Sequence, residues 1–403
     1  MDQIPVEELA LQRKRYAHLS DEQWRFMLQQ VEGRQRTKDK LPTFAAIDDW
    51  WYPVRLSCEQ CSSEITARYK SQLIAGHRIT TLIDLTGGYG VDTFFMSETL
   101  DEAHYIERNE ELCHIAQHNF SATRPQIQIH NTTAEEFLSS ITTSPESTAI
   151  FIDPARRSKS GNKVFLLEDC EPNIISLLPT LLTKAQTILI KLSPILDITA
   201  ALRSLNTPFD VHIVALQNEV KEVLLFTYQH PYHTVTTPLP LKRDTDTHIY
   251  ATNLIPASNH IEYQQQTFTF TLAEEQQAIC STYTSLDAHL LQQDTYIYEP
   301  NAAIIKSGAF KLIAERYHLI KMAPSTHLYL SNQIIADFPG RTWQIIEHNP
   351  KDFKDIRASI MTRNYPLTPE QLRKKLKIKD CNTHTIIGAR LADKPTLFLC
   401  KKI

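Results

Sequence analysis

The chain reads as an α/β protein: a doubly wound sheet, mostly parallel with one reversed strand, preceded by a helical region and followed by smaller α+β units. Two observations predict this. From about residue 80, short apolar runs alternate with helix-like stretches, the rhythm of strand–helix–strand crossovers in a parallel sheet. Within that rhythm, TLIDLTGGYGVD (residues 81–92) gathers Gly87, Gly88 and Gly90, three of the nine glycines, between a strand-like and a helix-like run. Such a loop brings backbone close to a nucleotide or a phosphate.

The elements follow in order. Residues 1–70 read as mostly helical, and Ser20-Asp21-Glu22-Gln23 has the pattern of a helix start before WRFMLQQV. Seven strands are expected: TLIDL (81–85), AHYIE (103–107), QIQIH (126–130), TAIFI (148–152), QTILIK (186–191), FDVHIVAL (209–216) and EVLLFTY (222–228). Helix-like segments such as NEELCHIAQHNF and AEEFLSSI follow most of them. Only QNEVK separates the last two, too short for a crossover, so that pair should be antiparallel. After about residue 230, HPYHTVTTPLPLKRDTDTHIY is polar, proline-bearing and β-leaning: a connector or the start of a new unit. Beyond it GAFKLIAERYHL is the clearest helix.

Composition narrows the function classes. A length of 403 residues fits two or three domains, and 42% apolar with 22% charged residues is ordinary for a globular protein. No apolar run approaches the roughly 18 residues of a membrane span, and MDQIPVEELALQRKRY lacks the apolar core of a signal peptide. Seven cysteines, an odd number, do not suggest a disulfide framework, so a cytoplasmic protein is expected. CEQC at 58–61 is a lone C-x-x-C without a second ligand pair, so no metal is expected. The formal charge of −4 requires any nucleic-acid contact to come from a local basic patch. QLRKKLKIKD (371–380) is a candidate, with a solvated helix face as the equal alternative.

Ligands of open parallel sheets sit beyond the carboxyl ends of the strands, where this loop falls. A dinucleotide fingerprint would need a third glycine after Gly88-Tyr89-Gly90, and Val91-Asp92-Thr93 stands there instead. S-adenosylmethionine is the alternative. Asp84, three residues before the glycines, can receive its ammonium, and Glu107, at the end of the second strand, can accept both ribose hydroxyls. Helix capping and a solvated strand end are the structural alternatives for these two carboxylates. The fourth strand runs into FIDPARR (151–157), where Pro154 stiffens the turn that holds Asp153. An Asp there can accept a hydrogen bond from an amine or take its proton. Arg156, Arg157, Lys159 and Lys163 follow, suited to a phosphate-bearing substrate or to an exposed loop.

These residues carry a resemblance. D-L-x-G-G-x-G, Glu107 and the DPAR turn are similar to class I S-adenosylmethionine-dependent methyltransferases, whose Rossmann-like sheet has seven strands, one of them antiparallel. EQCSSEITARYK (59–70), LEDCEPN (167–173), NEVKE (218–222), YEPNAAIIKSGAFKLIAERY (298–317), HLYLS (327–331), DFPGR (337–341) and RNYPL (363–367) narrow it to a bacterial family with a C-terminal THUMP-like domain. The resemblance spans about residues 20–403. It implies a helical region at 1–70, a methyltransferase domain at 71–232, a connector and small ferredoxin-like unit at 233–320, and a THUMP-like domain at 321–403. It implies cofactor binding by Asp84, Thr86, Gly87, Gly88, Gly90, Glu107, Arg108, Thr133, Ala134 and Asp153, with Asp153 and Pro154 at the catalytic motif and Arg156 and Arg157 toward substrate. Ala155 and Arg156 replace the second proline and the aromatic residue of amino-directed relatives. Ser62, Ser63 and Glu64 either approach the methionine end or cap a helix.

The leading expectation is a methyltransferase acting on structured RNA, tRNA or rRNA, bound through the C-terminal domain by analogy with THUMP domains. A protein or small-molecule acceptor, or a non-catalytic RNA-binding protein that keeps the fold, are the alternatives. No membrane partner is expected.

Overall fold

The computed structural model describes residues 4–156, 167–205, 207–228, 247–258, 261–292, 294–349 and 356–403. Two compact units make up the chain: Met1–Gln217 with Lys221–Thr247 and Leu254–Gln265, and Asn218–Val220 with His248–Asn253 and Gln266–Ile403.

The first unit opens with five helices: α1 (Val6–Ala10), α2 (Asp21–Thr37), α3 (Pro42–Ala45), α4 (Arg55–Gln60) and α5 (Glu64–Ala75). Ser20 starts α2 with a complete capping box, its hydroxyl accepting from Gln23 N at 3.1 Å while the Gln23 side chain accepts from Ser20 N at 2.9 Å. The predicted strands then appear as β1 (Thr81–Asp84), β2 (Glu102–Glu107), β3 (Ile127–Asn131) and β4 (Thr148–Ile152). Between them lie α6 (Val91–Met96), α7 (Glu110–Thr123) and α8 (Ala134–Ser140). After β4 a two-stranded ribbon forms from β5 (Ala155–Arg156) and β6 (Cys170–Glu171). There follow α9 (Ile174–Lys184), β7 (Thr187–Leu192), α10 (Ile198–Leu205), β8 (Asp210–Leu216) and β9 (Glu219–Tyr228).

β1 pairs in parallel with β2 and β4, β2 with β3, and β4 with β7, whereas β9 runs antiparallel to β7. The link between β8 and β9 is tighter than expected: Gln217 and Asn218 form it, both at positive φ (52° and 67°), as the right-handed twist of a hairpin demands. Among the described residues the sheet has nine strands rather than seven, in the order β11-β10-β8-β9-β7-β4-β1-β2-β3, with β10 (His248–Pro256) and β11 (Tyr263–Thr271) added beyond β8. Periodicity concealed β11, which buries only Phe268 and Phe270 in a largely polar run. Residues 229–246 of the connector lie outside the described residues.

The center of the sheet is apolar on both faces, as a parallel sheet covered by helices requires: β4 is buried throughout, and Leu82, Ala103, Ile150 and Ile188 are at most 1% exposed. An aromatic cluster of Phe44, Trp50, Phe94, Phe95 and Phe120 joins the N-terminal helices to α6 and α7; Phe44 stacks on Trp50 with ring centers 4.0 Å apart.

The second unit carries α11 (Leu272–Gln277), β12 (Tyr296–Pro300), α12 (Ala302–Ser307), α13 (Leu312–Arg316), β13 (Ile320–Ala323), β14 (Thr326–Ser331), β15 (Gly340–His348), β16 (Ser359–Arg363), α14 (Pro369–Leu376), β17 (Thr385–Leu391) and β18 (Lys394–Lys402). Its seven-stranded sheet, β13-β14-β12-β15-β18-β17-β16, is antiparallel except for β16 and β17. GAFKLIAERYHL yields only the five-residue α13, because Gly308 at φ +80° ends α12 instead of opening a longer helix.

Candidate active site

The sheet reverses its winding between β1 and β4: β2 and β3 lie on one side, β7 and β9 on the other. A crevice opens at such a point beyond the carboxyl ends of the strands. Here it is a cleft of about 900 Å³, lined by residues that follow β1, β2, β3, β4 and β7.

The glycine loop forms one wall. Gly87 N donates to Ile106 O at 2.8 Å, so the loop lies flat against β2, and a Cβ on Gly87 would overlap the Tyr105 ring. Gly88 and Gly90 take positive φ (54° and 82°), which L side chains adopt only with strain. Gly90 caps α6, and the Tyr105 hydroxyl donates to Gly88 O at 2.5 Å. Asp84 is 1% exposed; it accepts from Thr86 N at 3.0 Å and from the Thr93 hydroxyl at 2.5 Å. Burial pushes its pKa up to about 7 against those two hydrogen bonds, and the charges of Asp92 and Asp153 add to the rise.

Glu107 closes the second wall, accepting from Gly88 N at 3.0 Å and Asn109 N at 2.8 Å. A carboxylate has about four lone-pair positions, so capacity remains for ligand hydroxyls. Arg108 pairs with Glu171 at 2.6 Å between largely exposed side chains. Thr133 caps α8 through a capping box with Glu136, and Ala134 is buried beside it. Asp153 N donates to Thr86 Oγ1 at 2.6 Å, tying the end of β4 to the glycine loop. All ten residues that the sequence assigns to cofactor binding, and Pro154, line this one cleft. Arg157, Lys159, Lys163 and the side chain of Arg156 lie outside the described residues.

The three candidates ahead of α5 separate. Ser63 is the cap, accepting from Thr66 N at 3.2 Å; Glu64 is buried and accepts from Thr43 N and Oγ1. Ser62 lines the cleft and donates to Asp92 at 2.7 Å. Cys58 and Cys61 are free thiols, and burial raises Cys58 to about 12. Among the described residues no group of three His, Cys, Asp or Glu could hold a metal ion, and no helix is long and apolar enough to cross a membrane.

Behind the cleft lies a charge network that sequence reading missed. Lys191, next to last in β7, reaches Asp153 at 2.5 Å and Asp92 at 3.6 Å. Asp92 also lies 3.1 Å from the ammonium of Lys70, which meets both oxygens of Glu222 at 2.7 and 2.8 Å. Burial opposes the charge on Lys191, yet Asp153, Asp92 and Glu222 raise its pKa and keep it protonated. Burial likewise opposes the charge on Asp92, but Lys70 and Lys191 together with the Ser62 hydrogen bond hold its pKa below the usual carboxylate range. EQCSSEITARYK and NEVKE, quoted above with no role for their last residues, are the stretches that supply Lys70 and Glu222.

Residues 296–339 match a ferredoxin-like domain family and residues 340–402 a THUMP domain-like family. The crystal structure of a methyltransferase-family protein of Porphyromonas gingivalis W83 is 34% identical over 95% of this chain and 92% of that one, with a TM-score of 0.81. The methyltransferase-type protein yhhF of Escherichia coli is 16% identical over 41% of this chain and 87% of its own, with a TM-score of 0.30. An O-methyltransferase-type protein of Klebsiella pneumoniae is 12% identical over 42% and 82%, with a TM-score of 0.33. The last two likenesses are too weak to bear on function, and no curated protein matches. At one-third identity over nearly its whole length, the chain belongs to the methyltransferase family of the P. gingivalis protein, with a ferredoxin-like and a THUMP domain-like region at its C-terminal end.

Proposed function

We propose that this methyltransferase uses S-adenosylmethionine and methylates structured RNA, tRNA or rRNA. One observation carries the reading: Asp84, the glycine loop, Glu107 and Asp153, spread over 70 residues of sequence, face a single cleft at the switch point of the sheet. The residues present fit such a cofactor. Gly88, at φ +54° with no atom nearer than Thr86 O at 3.8 Å to an added Cβ, leaves its backbone open toward the cleft, and the cleft volume suits a nucleoside-sized ligand. When bound, the cofactor supplies a methyl group activated on a sulfonium.

The chain's own residues then have distinct tasks. Asp84, once ionized, receives the ammonium; Glu107 accepts the ribose hydroxyls; Thr133 and Ala134 lie where the adenine edge is read. Asp153 orients the acceptor by accepting one of its polar hydrogens, and can take that proton. Residues 71–232 form the transfer domain in this reading, and the C-terminal regions hold the RNA. The THUMP domain-like match and the basic last turn of α14, with Arg373, Lys374 and Lys375, support an RNA partner.

The test is incubation with methyl-labelled S-adenosylmethionine and bulk RNA from a strain lacking the gene, with Asp153→Ala as control. Label in one RNA size class, lost in the variant, supports the reading. Cofactor binding without label in any RNA overturns the RNA acceptor and directs the search to proteins and metabolites.

A further inference from the structure

We propose that Lys191 is a positioning residue for methyl transfer, fixing the Asp153 carboxylate toward the acceptor from a buried chain of charges. The proposal rests on the reading of Asp153 given above. β4 and β7 run parallel with Ile152 opposite Ile190, so the next pair across the ladder is Asp153 and Lys191. Their side chains meet at 2.5 Å through Asp153 Oδ2. The other oxygen, Oδ1, makes no hydrogen bond to the described residues, and the Asp153 side chain is 38% exposed in the cleft lining. One oxygen is therefore committed and one remains for a ligand.

Lys191 is itself held. Its side chain is 12% exposed, and Asp92 stands 3.6 Å away on its other side. Asp92 receives the Ser62 hydroxyl and lies beside Lys70, and Lys70 is locked by Glu222. A lone lysine on a flexible stem would place a carboxylate poorly; one clamped between two carboxylates in a dry wall places it well. The network also spans both parts of the cleft. Asp92 opens the first turn of α6 beside the glycine loop, and Asp153 lies at the end of β4. Two ammonium groups face three carboxylates here, so the wall keeps a negative excess. That excess suits a cationic sulfonium and an acceptor that gains positive charge as it is alkylated.

The experiment compares Lys191→Met, Lys191→Arg, Asp153→Asn and the double variant Lys191→Met/Asp153→Asn. Transfer is measured into the RNA fraction that the wild type labels, cofactor affinity by calorimetry and folding by thermal unfolding. The proposal expects Lys191→Met to slow transfer about a hundredfold, the cost of a misplaced reacting group, with cofactor affinity within about threefold. Lys191→Arg should recover most of the rate, and the double variant should be no slower than Asp153→Asn alone, because Lys191 acts through Asp153. Losses that multiply in the double variant overturn the proposal. A dead Asp153→Asn beside an unimpaired Lys191→Met overturns it while leaving the functional reading intact. Asp153→Asn transferring at the wild-type rate overturns the proposal together with the role given to Asp153, and leaves RNA methylation itself standing. A crystal structure of Lys191→Met needs no acceptor: a reoriented Asp153 carboxylate is expected, and an unchanged one refutes the proposal.

Discussion

Trp50 donates its indole N–H to the hydroxyl of Tyr89 at 2.8 Å, and both side chains are buried. Tyr89 sits inside the glycine loop, so the N-terminal helical region braces this wall of the cleft through this bond and the surrounding aromatic packing. Trp50→Phe keeps the stack on Phe44 but removes the donor. Burial of a weakly satisfied hydroxyl costs about 1–3 kcal/mol. Urea unfolding should show a loss in that range, with cofactor affinity falling in parallel because the loop loses its brace.

Gly90→Ala tests the loop directly. The new Cβ would lie 2.5 Å from Phe120 Cζ, at a φ of +82°. Left-handed backbone costs a non-glycine residue about 1–2 kcal/mol before any clash. Stability should fall by at least that amount, and cofactor binding should weaken about tenfold or more. An Ala variant binding as tightly as the wild type would remove the loop from the cofactor site.

Asp84 predicts a proton linkage. Its folded-state pKa of about 7 lies above the ordinary 3.8, so the folded chain holds the proton more tightly than the unfolded one. The cost of burying its charge is therefore absent below about pH 4, grows as pH rises and is complete above about pH 7. A ligand ammonium favors the ionized form, so cofactor binding near pH 6 should release a proton from Asp84. Calorimetry in buffers of different ionization heat will show it, and Asp84→Asn should abolish that release. The same release in the variant would assign the proton elsewhere.

Lys70→Met removes a cation that is 0% exposed, takes from Glu222 the ammonium that meets both its oxygens, and leaves Asp92 only Lys191 and the Ser62 hydroxyl. Breaking one partner of a buried pair costs about 3–5 kcal/mol. Replacing Lys70 and Glu222 together by Met and Leu should cost less than Lys70→Met alone. The reverse order in chemical denaturation would show that the pair does not carry the coupling assigned to it.

For the C-terminal region, Arg373, Lys374 and Lys375 converted to Ala should weaken retention on RNA and lower the dependence of log affinity on log salt by about 2–3. An unchanged salt slope would mark this turn of α14 as a solvated face.

Much of this protein could be read before any coordinates. Seven strands, the reversed final pair, the Ser20 cap and the switch-point loop follow from local rules: alternation, turn length and glycine placement act within a few residues, and tertiary packing here agrees with them. The set of residues around the cleft was also legible, because strand ends in a doubly wound sheet converge by topology. Other features depended on partners distant in sequence. β11 becomes a strand by completing the sheet edge beyond β10, despite its largely polar run. The GAFKLIAERYHL helix is cut short because Gly308 takes a left-handed turn that periodicity does not reveal.

The charge network was hidden for the same physical reason. Lys70, Asp92, Asp153, Lys191 and Glu222 come from α5, α6, the end of β4, β7 and β9, and apart from Asp153 each alone looks like an ordinary surface charge. Their burial, which makes them costly when unpaired and rigid when paired, exists only once the sheet brings those elements together. Local patterns along the chain specify the doubly wound core of the sheet and the chemical types that meet at the cleft. Which carboxylate is held, by which cation and at what protonation state, emerges only in the folded chain, because desolvation and charge pairing depend on neighbors up to 152 residues apart.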